Sequence, residues 1–331
     1  MKAVAVTSVP ATLTDMDLPV PIPEGHDLLV EVRAISVNPV DAKLRRNSTP
    51  DQYPRVLGYD ATGIVRATGL EVRHFSPGDE VFCMALPTRQ GTNAEYVLID
   101  ERLAGHKPRS LTFAEAAALP LTSLTAWEML FDHFRIPRDV QAEGTLLIVG
   151  GAGGVGSMAI QLAAQLTSLT VVATASRPET TEWCKSLGAQ HVLDHSADLD
   201  VQFVELGLAA PRYIFAVTQA RAHFAALAGL LAPEGALGII EGDVSPVDIT
   251  PLFRKSAVLH SEYVFARGMH RTPAMAAQHR TLAAIAHLID NGTLRTTMTA
   301  NYGSICAENL LRAHLALESG RVRGKIVLEG F

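Results

Sequence analysis

The chain has 331 residues, 48% hydrophobic and 19% charged, a length that favours two domains over one core and a balance that is globular, not disordered. A formal net charge of -6, without any run of Lys or Arg, argues against a nucleic-acid-binding surface. Cys83, Cys184 and Cys306 are far apart, which fits reduced thiols in a cytoplasmic protein and excludes a cysteine-rich structural zinc lobe.

The first segment, Met1 to Val6, reads as a strand and lacks the apolar stretch and cleavage pattern of a secretory signal. Up to about residue 105 the pattern is strand-rich: 28–34, 61–67, 80–82 after the turn Pro77-Gly78-Asp79, and 94–99. Thr112 with Glu115 three residues on predicts a capped helix start, and a second helix is expected near 124–133. From 144 to 265 strands (146–149, 170–174, 191–193, 213–217, 237–240, 257–265) alternate with helices (154–166, 179–187, 220–231). That alternation is the signature of a doubly wound parallel sheet. Thr272-Pro273 opens a further helix that Asn291-Gly292 closes; a last helix near 305–318 stops at Gly320, before a strand at 325–328. No charged residue falls between Thr145 and Ser176, but the glycines of 150–156 and the polar Gln161 and Gln165 make this a buried strand-turn-helix-strand, not a membrane span.

Within that run, Gly151-Ala152-Gly153-Gly154-Val155-Gly156 follows the apolar strand and opens the helix. In this frame GxGxxG signals a dinucleotide's phosphates: the first glycine permits the tight turn, the second lets backbone approach the pyrophosphate, and the third lets helix pack on strand. The helix N-terminus adds unpaired N–H groups and partial positive charge. The next strand ends in Ala175-Ser176-Arg177, with no acid to hold a ribose 2′-hydroxyl. Ser176 and Arg177 suit a 2′-phosphate, and His195 lies where it could join the same pocket, so NADPH is the expected cofactor. The plainer reading of Arg177 is a solvated charge near a helix start.

Several segments together resemble the medium-chain dehydrogenase/reductase superfamily, in its zinc-free quinone oxidoreductase-like branch. They are 34–43 (Ala-Ile-Ser-Val-Asn-Pro-Val-Asp-Ala-Lys), 53–65 (including Gly58-Tyr59-Asp60), 75–81, 116–127, the glycine loop, and Gly324-Lys325-Ile326-Val327-Leu328. The resemblance implies a β-rich, GroES-like substrate domain at 1–122 and 266–331, with a Rossmann domain at 123–265 inserted and the cofactor in the cleft between them. It also implies that Asn38 and Thr125 flank the nicotinamide, that Lys325 belongs to the cofactor set, and that Tyr59 lines the substrate side. Zinc-using members carry a Cys near the Asn38–Asp41 segment and Gly-His-Glu where this chain has Gly58-Tyr59-Asp60. Asp41 and Asp60 alone do not make a catalytic zinc site, and Cys83 with His74 read as core and surface residues, so no metal is expected.

Without a metal, charge building on the acceptor's oxygen must meet neutral donors. Asn38 and Tyr59 are the candidates, with Tyr53 behind them; their plainer readings are a turn residue for Asn38, a core tyrosine for Tyr59 and a helix cap for Asp41. Such donors suit a quinone or an α,β-unsaturated carbonyl, whose reduced forms are intrinsically stable. The expectation is an NADPH-dependent, zinc-independent reductase of a small electrophilic acceptor, cytoplasmic, with no nucleic-acid or membrane partner. It is expected as a homodimer, with the strand 257–265 as a contact. The alternatives are a zinc-free reductase of another carbonyl class and a non-enzymatic NADPH-binding or sensing protein.

Overall fold

The computed structural model describes residues 1–8, 12–138, 143–242 and 246–331. The chain divides into two compact units, one made of Met1–Leu124 with Phe265–Phe331 and the other of Thr125–Val264.

In the first unit the strand Asp27–Ser36 is central. It pairs antiparallel with Asp60–Thr68, Tyr96–Asp100 and the C-terminal strand Lys325–Glu329, so both ends of the chain build one sheet. Glu80–Met84, Ala104–His106 and Met298–Asn301 complete its seven strands. Thr112 opens the helix Phe113–Ala117 as the sequence predicts: its hydroxyl accepts the Glu115 N–H at 3.2 Å, and the Glu115 carboxylate accepts the Thr112 N–H at 2.9 Å. The strand pattern missed the helix Pro39–Arg46. Pro39 presets its first turn, and Asp41 accepts the Asn38 N–H at 2.7 Å, so Asn38 is the entry residue of a helix and not part of an isolated turn.

In the second unit six parallel strands lie in the order His191–Leu193, Thr170–Thr174, Thr145–Val149, Tyr213–Ala216, Ala236–Ile239, Val258–Ser261. Numbered along the chain this is 3-2-1-4-5-6, the doubly wound order of a Rossmann fold. Every residue of Thr145–Val149 is buried, as helices on both faces require. Leu147, Val149, Val172, Ile214, Leu237 and Ile239 pack one face against Phe224, Leu227 and Leu231. The uncharged stretch resolves into strand, the helix Gly154–Leu166 and strand, and no described helix is long and apolar enough to cross a membrane. Two expectations are corrected. The sixth strand spans only Val258–Ser261, because the chain turns into the short helix Ala266–Met269. The helix expected at 124–133 is an α-helix, Pro120–Trp127, that widens into a π-helical turn over Glu128–His133.

Candidate active site

The glycine loop divides its work differently from the sequence pattern. The left-handed turn falls on Gly150 (φ +82°), one residue ahead of the motif. Gly151 has an ordinary backbone and is glycine for space: a Cβ there would sit 2.8 Å from the Ala173 Cβ and 3.1 Å from the Cys184 Sγ. Gly156 is the close approach of helix to strand, since its Cβ would lie 2.4 Å from the Gly150 carbonyl oxygen and 2.7 Å from the Gly151 Cα. Gly153 differs from both. A Cβ there meets only the Gly150 oxygen, at 3.7 Å, so the space beyond it is open. It caps the helix Gly154–Leu166 with no side-chain hydrogen bond and no acid in the first turn. The first-turn N–H groups of Gly154 and Val155, both half-buried, therefore keep their positive potential for an anion. A dinucleotide pyrophosphate fits this cradle.

At the end of the neighbouring strand, Ala175 donates its N–H to the Leu193 oxygen at 2.9 Å, which sets Ser176 beside the start of the Asp194–His195 turn. Ser176 is exposed. Arg177 is half-exposed, and its Nε lies 3.4 Å from the Glu179 carboxylate, so an acid absent from the strand end is supplied by the following helix. The His195 Nδ1 is buried with no hydrogen-bond partner among the described residues. Burial, reinforced by the nearby His223, holds its pKa below the usual imidazole value despite Asp194. Thr125 is buried in the helix Pro120–Trp127.

In the first unit a buried polar frame surrounds Asn38. The Asp60 Oδ2 accepts from the Asn38 Nδ2 (2.7 Å), the Ser36 hydroxyl (2.8 Å) and the Lys325 Nζ (3.2 Å), and its Oδ1 accepts the Leu121 N–H at 2.7 Å. Lys325 also donates to the Val37 oxygen at 2.8 Å and to the Asn38 Oδ1 at 2.5 Å. Its three N–H bonds are thus spent inside the protein, and the expected direct contact with the cofactor has no donor left to make it. Burial lowers the Lys325 pKa, opposed by the charges of Asp60 and Asp41. Burial likewise pushes the Asp41 carboxyl up to about 7, against the pull of the Asn38 N–H. Asn38 keeps one Nδ2–H with no protein acceptor among the described residues.

Tyr59 has no exposed surface, and its ring packs edge-on against Phe265 at 5.3 Å. The Tyr53 hydroxyl lies 3.1 Å and 3.2 Å from the Ser8 and Ser48 carbonyl oxygens. Cys83 and His74 do not meet: the Cys83 thiol faces the Ala61 oxygen at 3.5 Å, and His74 stacks on His279. Sequence reading missed Ser36, the Leu121 N–H and the Asp60–Lys325 pair. The one available signal was the pair itself, an acid and a lysine each at the first position of a strand and each buried.

A parallel sheet in Rossmann order with a bare phosphate loop, inserted into a β-rich unit, defines a dinucleotide-binding oxidoreductase. Comparison with known proteins agrees. The alcohol dehydrogenase GroES-like domain family matches residues 24–124 and the zinc-binding dehydrogenase family matches 187–328. A zinc-type alcohol dehydrogenase-like protein of Staphylococcus aureus is 43% identical over 93% of this chain and 92% of its own. A Rhizobium etli crystal structure named for the zinc-dependent alcohol dehydrogenases is 52% identical, with a TM-score of 0.94 over 100% of this chain and 98% of that one. A mycobacterial protein solved with NADPH (29% identical, TM-score 0.84, 99% of each chain) and a Coxiella burnetii quinone oxidoreductase (27%, 0.82, 100% and 99%) share the whole architecture. The chain belongs to the medium-chain dehydrogenase/reductase superfamily.

Proposed function

We propose that this oxidoreductase uses NADPH, without zinc, to reduce a quinone or an α,β-unsaturated carbonyl. The observation that carries the reading is the frame around Asn38, an ammonium and a carboxylate holding a neutral amide donor. When bound, the dinucleotide would supply the hydride, and solvent the proton that completes the reduction. The Gly153 cradle would hold its pyrophosphate, and the Nδ2–H of Asn38 would meet the charge that develops on the acceptor's oxygen. Tyr59 is the alternative donor, although its burial against Phe265 favours packing.

Zinc does not fit the donor set. Both Asp60 oxygens are already engaged, by four donors of which one is an ammonium. Burial and the Asp60 charge hold the Cys83 thiol well above its usual pKa, and so protonated, whereas zinc wants a thiolate or imidazole set with an open position. The relative crystallised with NADPH and the quinone oxidoreductase support the cofactor and acceptor class. A panel of quinones, enones, simple ketones and aldehydes, each with NADPH and NADH, tests the reading. Quinone or enone turnover with NADPH is expected. Preference for a plain ketone would select the other carbonyl class, and tight NADPH binding without any turnover would select the sensing role.

Arg177 is proposed to contact the 2′-phosphate. A partly screened Arg–phosphate contact is worth about tenfold in affinity. Arg177→Ala should weaken NADPH by about that factor and leave NADH nearly unchanged. Glu179→Gln, which removes the carboxylate beside the guanidinium, should tighten NADPH by about twofold. Equal loss of both cofactors in calorimetric titrations of Arg177→Ala would remove this role.

The protein is further proposed to be a homodimer. Val258–Ser261 is the last strand of its sheet, and Val258, Leu259 and Tyr263 beside it are 48%, 39% and 50% exposed. An apolar sheet edge invites pairing. Sedimentation at micromolar concentration should give twice the monomer mass, and a monomer there would contradict this.

A further inference from the structure

We infer that Lys325 and Asp60 are positioning residues that act on the reaction through Asn38, a step that rests on the functional reading above. Three independent anchors converge on Asn38. Its backbone N–H is held by Asp41 at 2.7 Å, its Nδ2 by Asp60 at 2.7 Å, and its Oδ1 by Lys325 at 2.5 Å. Lys325 and Asp60 bond to each other at 3.2 Å, and both are essentially buried.

The polarity of these groups matters more than their number. An amide can flip, exchanging donor for acceptor. Here a carboxylate can only accept and an ammonium can only donate. The flipped amide would set Nδ2 against the ammonium and Oδ1 against the carboxylate, two repulsive contacts in a low-dielectric site. The ion pair therefore fixes which end of Asn38 is the donor, and one Nδ2–H is left over to serve the acceptor. Lys325 reaches across 287 residues of sequence to do so, from the C-terminal strand to the entry of the helix Pro39–Arg46. The Val37 carbonyl and Asp60 take two of its N–H bonds, and the third goes to the Asn38 Oδ1.

Removing one member of a buried ion pair strands the other charge and costs stability, so the charge-neutral double variant Lys325→Met/Asp60→Asn is made beside Lys325→Met. Two readouts are taken on each. The first is the Asn38 side-chain amide in ¹⁵N NMR spectra of the protein without cofactor. The wild type should show one pair of resonances, shifted and slow to exchange with solvent, and in the variants it should broaden or become exchange-labile. The second is turnover and NADPH affinity in wild-type and Asn38→Ala backgrounds. The variants should lose about tenfold or more in kcat with unchanged Kd for NADPH, and nothing further where Asn38 is already alanine.

An unchanged Asn38 amide signal in either folded variant overturns the inference. So does an equal fold-loss in both backgrounds, which would mark Lys325 and Asp60 as merely structural. A wild-type protein that binds NADPH but reduces no acceptor sinks the functional reading and the catalytic half of the inference together. The amide spectra then still decide whether the pair orients Asn38, so the two failures are told apart.

Discussion

Replacing Gly153 by valine is expected to abolish dinucleotide binding while leaving the cofactor-free fold in place. The backbone of Gly153 (φ -73°, ψ 176°) is open to any residue, and a Cβ there makes one ordinary contact, at 3.7 Å. The cost to the cofactor-free protein is that of a poor helix cap, about 1 kcal/mol. The same side chain enters the space in which the first-turn N–H groups would meet the pyrophosphate. NADPH affinity should fall by at least about 100-fold, equivalent to roughly 2.7 kcal/mol. Gly156→Ala is the contrast. Its Cβ would lie 2.4 Å from a backbone oxygen and 2.7 Å from a backbone Cα, neither of which can rotate away, so the fold itself should suffer. Thermal unfolding without ligand, set beside NADPH fluorescence titration, separates the two. Wild-type affinity in Gly153→Val would place the cofactor's phosphates elsewhere.

The second large effect is expected at Asn38. Asn38→Ala removes the proposed donor to the acceptor's oxygen and leaves Lys325 and Asp60 still paired with each other. Loss of one such donor typically raises the barrier by about 3 kcal/mol, or roughly 100-fold in kcat. The loss should be larger for an enone than for a quinone, whose reduced form needs less stabilisation. Tyr59→Phe should keep turnover within a few-fold, since the ring has no exposed surface and packs edge-on against Phe265. Steady-state kinetics with both acceptor types check this. The reverse outcome, full activity in Asn38→Ala and collapse in Tyr59→Phe, would transfer the donor role to the phenol.

What could be read in the sequence was local. The phosphate loop is a strand, a turn and a helix within about twenty residues, and its glycines announce themselves at fixed spacing. The Thr112–Glu115 box is two side chains on one turn. Even there the pattern misassigned the turn, because Gly150 takes the left-handed backbone just outside the motif. The Arg177–Glu179 contact was hidden for another reason: Glu179 was read as a helix residue, and its reach back to the guanidinium depends on rotamers that no pattern records. The π-helical turn at Glu128–His133 has the same apolar periodicity as an α-helix over so short a span. The frame around Asn38 was the least legible, since its members lie 22 and 287 residues from Asn38 and only antiparallel pairing of Asp27–Ser36 with both Asp60–Thr68 and Lys325–Glu329 brings them together. The resemblance supplied the motifs that carry Asn38, Asp60 and Lys325 but not the bonds among them.

The most direct test of the central claim is NADPH consumption with a quinone or enone by protein treated with a strong chelator and shown by elemental analysis to be metal-free. An undiminished rate is expected, with one acceptor reduced per NADPH oxidised and no gain on adding zinc. A rate that vanishes with the metal and returns with one zinc per chain would contradict it.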